Sequence, residues 1–112
     1  MRKLAAIMFS DMSGYTALMQ QNEQLAKEKR RRLNGALSIF NSAIDGVKCA
    51  IEIQQTLLIE PKVDLRIGLH SGDISMEDET IYGDGVNIAS RIESLAVPGS
   101  ILISEKVYDE IK

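Results

Sequence analysis

Apolar residues fill Leu4 to Phe9 almost without interruption, as in a buried strand, and the small and polar residues Ser10-Asp-Met-Ser-Gly14 then read as a turn. Tyr15, Leu18, Met19, Leu25, Ala26 and Leu33 follow at helical spacing, with Ser13 placed to cap the first turn. Ala36 to Phe40 has the length of a short strand. Ser42-Ala-Ile-Asp45 then has the spacing of a capping box, which opens a helix whose inward positions run Ile44, Val47, Ala50, Ile51, Gln54, Leu57 and Leu58 before Pro61. Val63 to His70 alternates strictly: Val63, Leu65, Ile67 and Leu69 share one face, and Asp64, Arg66, Gly68 and His70 the other. Ser71-Gly-Asp73 is expected to turn that strand.

A further helix starts at about Asp84 and is expected to send Ile88, Ile92 and Leu95 into the core, with Pro98-Gly99 ending it. Ile101 to Ile103 reads as a strand, and a last helix starts near Ser104. Strands and helices alternate with connections long enough for crossovers, which predicts an α/β fold of helices on a sheet. No internal repeat, linker or low-complexity tract interrupts it.

The chain's 112 residues and 12.4 kDa fit one domain, and 45% apolar with 26% charged residues is ordinary for a soluble protein. No apolar run approaches the roughly 18 residues of a membrane helix, and the start reads as a strand and not a signal peptide. Cys49 is the only cysteine, so no internal disulfide is possible, which suits a reducing cytoplasm. A net charge of -3 gives no basic field for nucleic acid. The one basic run, Lys27 to Arg32, is broken by Glu28 and reads as a solvated face or helix C-terminus.

Three constellations can carry chemistry. Asp11 ends a buried strand just before a helix start, where free backbone N–H groups suit a phosphate and the carboxylate suits a divalent cation; Asp11 and Ser13 equally serve as plain caps. Asn87 and Arg91 stand four residues apart and project from one helical face, an amide and a guanidinium of the kind phosphoryl chemistry uses; a surface pairing of Arg91 with Glu93 or Glu105 is the alternative. Arg66 shares a strand face with His70, and the lone histidine reads first as a hydrogen-bonded structural residue.

Taken in order, FSDMSGYT, LSIFNSAIDGVKCAIEIQ, LRIGLHSGDI, IYGDGVNIASRIESLA and PGSILIS resemble the class III nucleotide cyclase catalytic domain, the adenylate and guanylate cyclase family. The resemblance covers nearly the whole chain. It implies an α/β, ferredoxin-like nucleotide cyclase fold with a central, mostly antiparallel sheet and packed helices. It also implies a head-to-tail homodimer with active sites at the subunit interface; hydropathy and charge, for their part, lead to the expectation of no membrane span in this segment and no nucleic-acid partner. The resemblance further implies ATP as the expected substrate, converted to cyclic AMP and pyrophosphate with two divalent cations, Mg2+ or Mn2+; a cytoplasmic location is expected from the free cysteine, the missing targeting signal and that intracellular substrate.

Carried over residue by residue, the resemblance gives Asp11 the role of a metal ligand and makes Ser10, Met12, Ser13, Gly14 and Tyr15 the triphosphate cradle. Asn87 orients the ribose and Arg91 stabilises the pentavalent transition state, both reaching in from the partner subunit. Arg66 contacts the triphosphate. Thr80, seven residues before Asn87, matches the base-selecting position on the adenine side, with guanine as the lesser expectation. The sequence departs from the family between Leu33 and Ala36, where a hairpin, a specificity lysine and the second metal carboxylate are expected; Asn34 stands near that carboxylate's position. The final hairpin of the family is likewise not seen after Lys112. A catalytically silent, cyclase-like module that binds nucleotide or dimerises is the alternative reading.

Overall fold

The structure, a computed structural model, describes residues 2–12, 37–59, 64–78 and 80–112. The strands are β1 (Arg2–Met12), β2 (Leu37–Phe40), β3 (Leu65–Glu77), β4 (Thr80–Tyr82) and β5 (Ile101–Ile103). The helices are α1 (Ala43–Thr56), α2 (Asp84–Ser94) and α3 (Glu105–Ile111). The sheet runs β2-β1-β3-β4, with β5 parallel to the first half of β3 and every other pair antiparallel. It is a mixed, mostly antiparallel α/β architecture, as expected. The helix expected over Tyr15 to Leu33 lies outside the described residues.

Two strands are longer than their sequence signals. β1 continues past Phe9 through Ser10, Asp11 and Met12, which pair with Ile67, Arg66 and Leu65. β3 does not turn at Ser71-Gly-Asp73; those residues pair with Ala6, Ala5 and Leu4, and the chain reverses after Glu77, where Asp78 takes φ 50°. The reason is that β1 gives β3 a hydrogen-bonding partner from Leu65 through Ser75. Ser71 and Gly72 are buried there, so leaving the ladder would orphan their backbone groups.

Each face of the sheet carries its own core. Met8, Leu65, Ile67 and Leu69 face α1 and α3, where they pack with Ala43, Ala50, Leu57 and Val107. Ala5, Ile7 and Ile74 lie on the opposite face and pack with Ala89 of α2. The predicted alternation of β3 holds for its described positions. Ser42 caps α1 by accepting from the Asp45 amide at 3.1 Å, and Ser104 caps α3 by accepting from Val107 at 3.3 Å.

The inward stripes of α1 and α2 differ from expectation. In α1 the buried residues are Ala43, Gly46 and Ala50, while Ile44, Ile51 and Leu58 are exposed. In α2 they are Gly85, Ala89 and Glu93, while Ile88 and Leu95 face out. Close approach to the sheet selects small side chains over large ones. A Cβ added to Gly46 would stand 2.9 Å from Leu69 Cδ2, and one added to Gly85 would stand 2.7 Å from Ile7 Cδ1. Among the described residues no helix is long and apolar enough to cross a membrane.

Candidate functional site

Cross-strand register places Asp11 opposite Arg66 on the face that α2 covers. Arg66 Nη2 donates to Asp11 Oδ2 at 3.3 Å, and Nη1 donates to the backbone oxygen of Ser94, also at 3.3 Å. The guanidinium therefore ties the end of β1 to the last turn of α2. Its Nε is buried with no partner among the described residues. Ser10 pairs with Ile67 in the ladder, so its side chain belongs to the opposite face from Asp11. Met12 continues β1 opposite Leu65, and Ser13, Gly14, Tyr15 and Asn34 lie outside the described residues.

Gly83 opens α2 at φ 133°, a conformation that favours glycine, and Asp84 takes the first turn, where a carboxylate is favoured by the helix dipole. From there helical geometry decides what each residue can reach. Successive residues turn about 100°, so Arg91 lies about 200° and Asn87 about 240° round the axis from Glu93. Glu93 faces the sheet at 6% exposure. Asn87 and Arg91 consequently share the outer face, about 40° apart, and both are exposed.

No side chain among the described residues pairs with Arg91. The pairing with Glu93 is ruled out by the opposite facing of the two, and none with Glu105 forms. Within one chain, then, Asp11 and Arg66 come together on the sheet side of α2, and Asn87 and Arg91 come together on its far side. The structure does not join the two pairs. Thr80 is exposed on β4 opposite Glu77, about 35 Å of extended strand from Arg66.

In the sequence Glu93 figured only as a possible surface partner of Arg91, whereas the structure buries it. Burial, and next the charge of Asp11, push its carboxyl above the usual carboxylate range, with Arg66 opposing. The available signal was Gly68 on β3, because only a strand glycine lets helix backbone approach so closely. A Cβ there would stand 2.6 Å from Glu93 Cα. His70 shares the face, as expected, and its Nδ1 lies 2.9 Å from Ser104 Oγ. Burial, then Lys106, lower its pKa against the pull of Glu110. It borders an open cleft of about 500 Å3 between α2, Tyr82 and Lys106.

A two-cation centre needs several oxygen ligands. Among the described residues no group of three or more His, Cys, Asp or Glu side chains is placed to hold a metal ion. Asp11 is one carboxylate and already pairs with Arg66. The described donor set is therefore incomplete for the cations the resemblance implies.

Comparison with known proteins agrees with the motifs. Residues 49–112 match the adenylate and guanylate cyclase catalytic domain family. The chain is 34% identical to "Putative adenylate cyclase 3" of Rhizobium meliloti over 98% of its own length and 24% of the relative's. That alignment runs 138 positions against a chain of 112 residues, so the matched stretch of the relative contains residues with no counterpart here. A crystal structure described as adenylate/guanylate cyclase/hydrolase from Silicibacter pomeroyi superposes with TM-score 0.81 at 32% identity, covering 97% of this chain and 79% of that one. The adenylyl cyclase CyaB from P. aeruginosa shares the fold, with TM-score 0.83 at 23% identity over 99% of this chain and 81% of that one. On the match over residues 49–112, the chain belongs to the adenylate and guanylate cyclase catalytic domain family.

Proposed function

We propose that the chain is a purine nucleotide cyclase subunit that converts ATP to cyclic AMP and pyrophosphate, in sites shared between two copies. The supporting observation is the division of the candidate residues between the two sides of α2. Asp11 and Arg66 are joined under the helix, while Asn87 and Arg91 stand exposed on its outer face without side-chain partners among the described residues. A two-fold dimer supplies each pair with the other from a second copy.

In that site the ribose 3'-oxygen forms a bond to the α-phosphorus as the bond to the bridging β-oxygen breaks. Pyrophosphate leaves with the electron pair, and the 3'-hydroxyl proton passes to solvent. Arg91 meets charge that grows on the phosphoryl oxygens only in the transition state, where an interaction accelerates the step. The Asn87 amide fixes the sugar, and Arg66 neutralises the triphosphate. Asp11 is assigned to a divalent cation, Mg2+ or Mn2+. Thr80 and the named Rhizobium relative support adenine over guanine.

The test is to incubate purified protein with Mn2+ and equal ATP and GTP, and to quantify cyclic AMP, cyclic GMP and pyrophosphate. Cyclic AMP in excess, lost in Arg91→Ala, is expected; cyclic GMP in excess would overturn the substrate. A second reading, a silent nucleotide-binding or dimerising module, is favoured by the single described carboxylate and by Asn34 near the second metal position. Calorimetry showing nucleotide binding without either cyclic product would establish it.

A further inference from the structure

Glu93 has no part in the chemistry above, yet it sits in the middle of the charged cluster. α2 presses it onto Gly68, where strand and helix leave no room for a Cβ. A carboxylate taken out of water in this way needs a cation or donors to offset its lost hydration. No hydrogen bond to it forms among the described residues, and the cation whose field reaches it is Arg66. Arg66, for its part, holds Asp11 and the Ser94 carbonyl at 3.3 Å each, near the long end of hydrogen-bond range, and its Nε is buried and idle. One guanidinium thus pairs with a half-exposed carboxylate and lies within the electrostatic reach of a buried one, while its Nε has no partner among the described residues.

We propose that Glu93 is a positioning residue for Arg66, the buried carboxylate that keeps its guanidinium at the end of the sheet when Asp11 turns from it toward a cation or substrate. The Asp11 pair is long and 44% exposed on the carboxylate side, so it is the partner more easily surrendered. The backbone and Cβ of Glu93 are held in place, because the part of α2 that carries them is seated on Gly68. The arrangement makes Arg66 available to the triphosphate without a search through rotamers, which is where a long side chain otherwise loses entropy. In its catalytic consequence, though not in the exchange of partners itself, this rests on the proposed cyclase reading.

Two experiments separate the inference from that reading. The first uses no nucleotide. Chemical unfolding of the native protein, Glu93→Gln, Arg66→Met and the double variant gives the Glu93–Arg66 coupling, and the same cycle is repeated with Asp11→Asn in every member. The coupling is expected to rise by about three- to tenfold in unfolding equilibrium constant once Asp11 is neutral. An unchanged coupling would overturn the exchange even if the protein proves to be an active cyclase.

The second experiment measures ATP turnover with Mn2+. Glu93→Gln is expected to raise KM about tenfold while kcat stays within about threefold, and Glu93→Asp to recover part of the loss. A KM equal to the native value would overturn the positioning role. A native protein that makes no cyclic product would refute the cyclase reading, and the unfolding cycle would still decide the exchange of partners.

Discussion

Gly68→Ala probes the contact on which both halves of the site depend. The added Cβ would stand 2.6 Å from Cα and 2.9 Å from Cβ of Glu93, and nearer still to the Glu93 backbone nitrogen. Carbon atoms in contact prefer about 3.5 to 4.0 Å, so relief requires a shift of about 1 Å. The obstruction is helix backbone and not the tip of a flexible side chain, so α2 as a whole must lift. That loosens the packing of Gly85 and Ala89 against the sheet and tilts Asn87 and Arg91. Overpacking costs about 1–3 kcal/mol in general, and a backbone clash belongs at the upper end, about 3 kcal/mol. For a domain of this size each kcal/mol moves Tm by about 4 °C, giving a fall of about 12 °C. Gly72→Ala is the matched comparison, since its Cβ would meet the His70 ring at 3.3 Å and Gly85 Cα at 3.4 Å, contacts that small adjustments relieve. Calorimetry or circular dichroism reads both. A Gly68→Ala protein melting within about 2 °C of the native one, or no lower than Gly72→Ala, would refute the close seating of α2.

Ser104→Ala removes the acceptor that caps α3 and contacts His70; a loss of about 1–2 kcal/mol in denaturant unfolding is expected. Asp11→Ala breaks a partly exposed ion pair, so stability should fall by no more than about 1 kcal/mol while cyclic product falls on the order of 100-fold or more; parallel melting and turnover assays compare the two. His70 has a folded-state pKa below its ordinary value, so the unfolded chain binds more protons between the two values. Stability is thus full above the unfolded pKa of 6.5 and declines as pH falls through that value toward the lowered one, a slope that His70→Gln should remove from unfolding midpoints. Arg91→Ala, at an exposed position without a side-chain partner among the described residues, should leave Tm within about 2 °C of native while abolishing turnover.

Local chemistry made much of the fold legible. Ser42 and Asp45 announced the start of α1, Ser104 that of α3, and the Leu65, Ile67, Leu69 alternation marked the face of β3 that packs against α1 and α3. The missed features share one cause, which is partners distant in sequence. Ser71-Gly-Asp73 carries turn residues, but the length of β1 holds it in the ladder. Hydrophobicity pointed Ile88 and Leu95 inward, whereas the glycines of β3 admit only Gly85, Ala89 and the backbone at Glu93. That choice turned a buried glutamate toward Arg66 and left Asn87 and Arg91 on the outside. The chemical types at the site were readable from spacing; their division between two sides of a helix was not, because it depends on which helix face the sheet accepts.

The most direct test of a site shared between subunits is to mix two variants, each disabled in a different half. Asp11→Asn and Arg91→Ala are prepared separately, shown to make no cyclic product alone, then combined in equal amounts and assayed with ATP and Mn2+. Random re-pairing makes half the dimers mixed, each with one intact site, so activity should return to about a quarter of the native value. A mixture as silent as its components, beside an active native protein and with exchange of subunits demonstrated, would contradict the shared site.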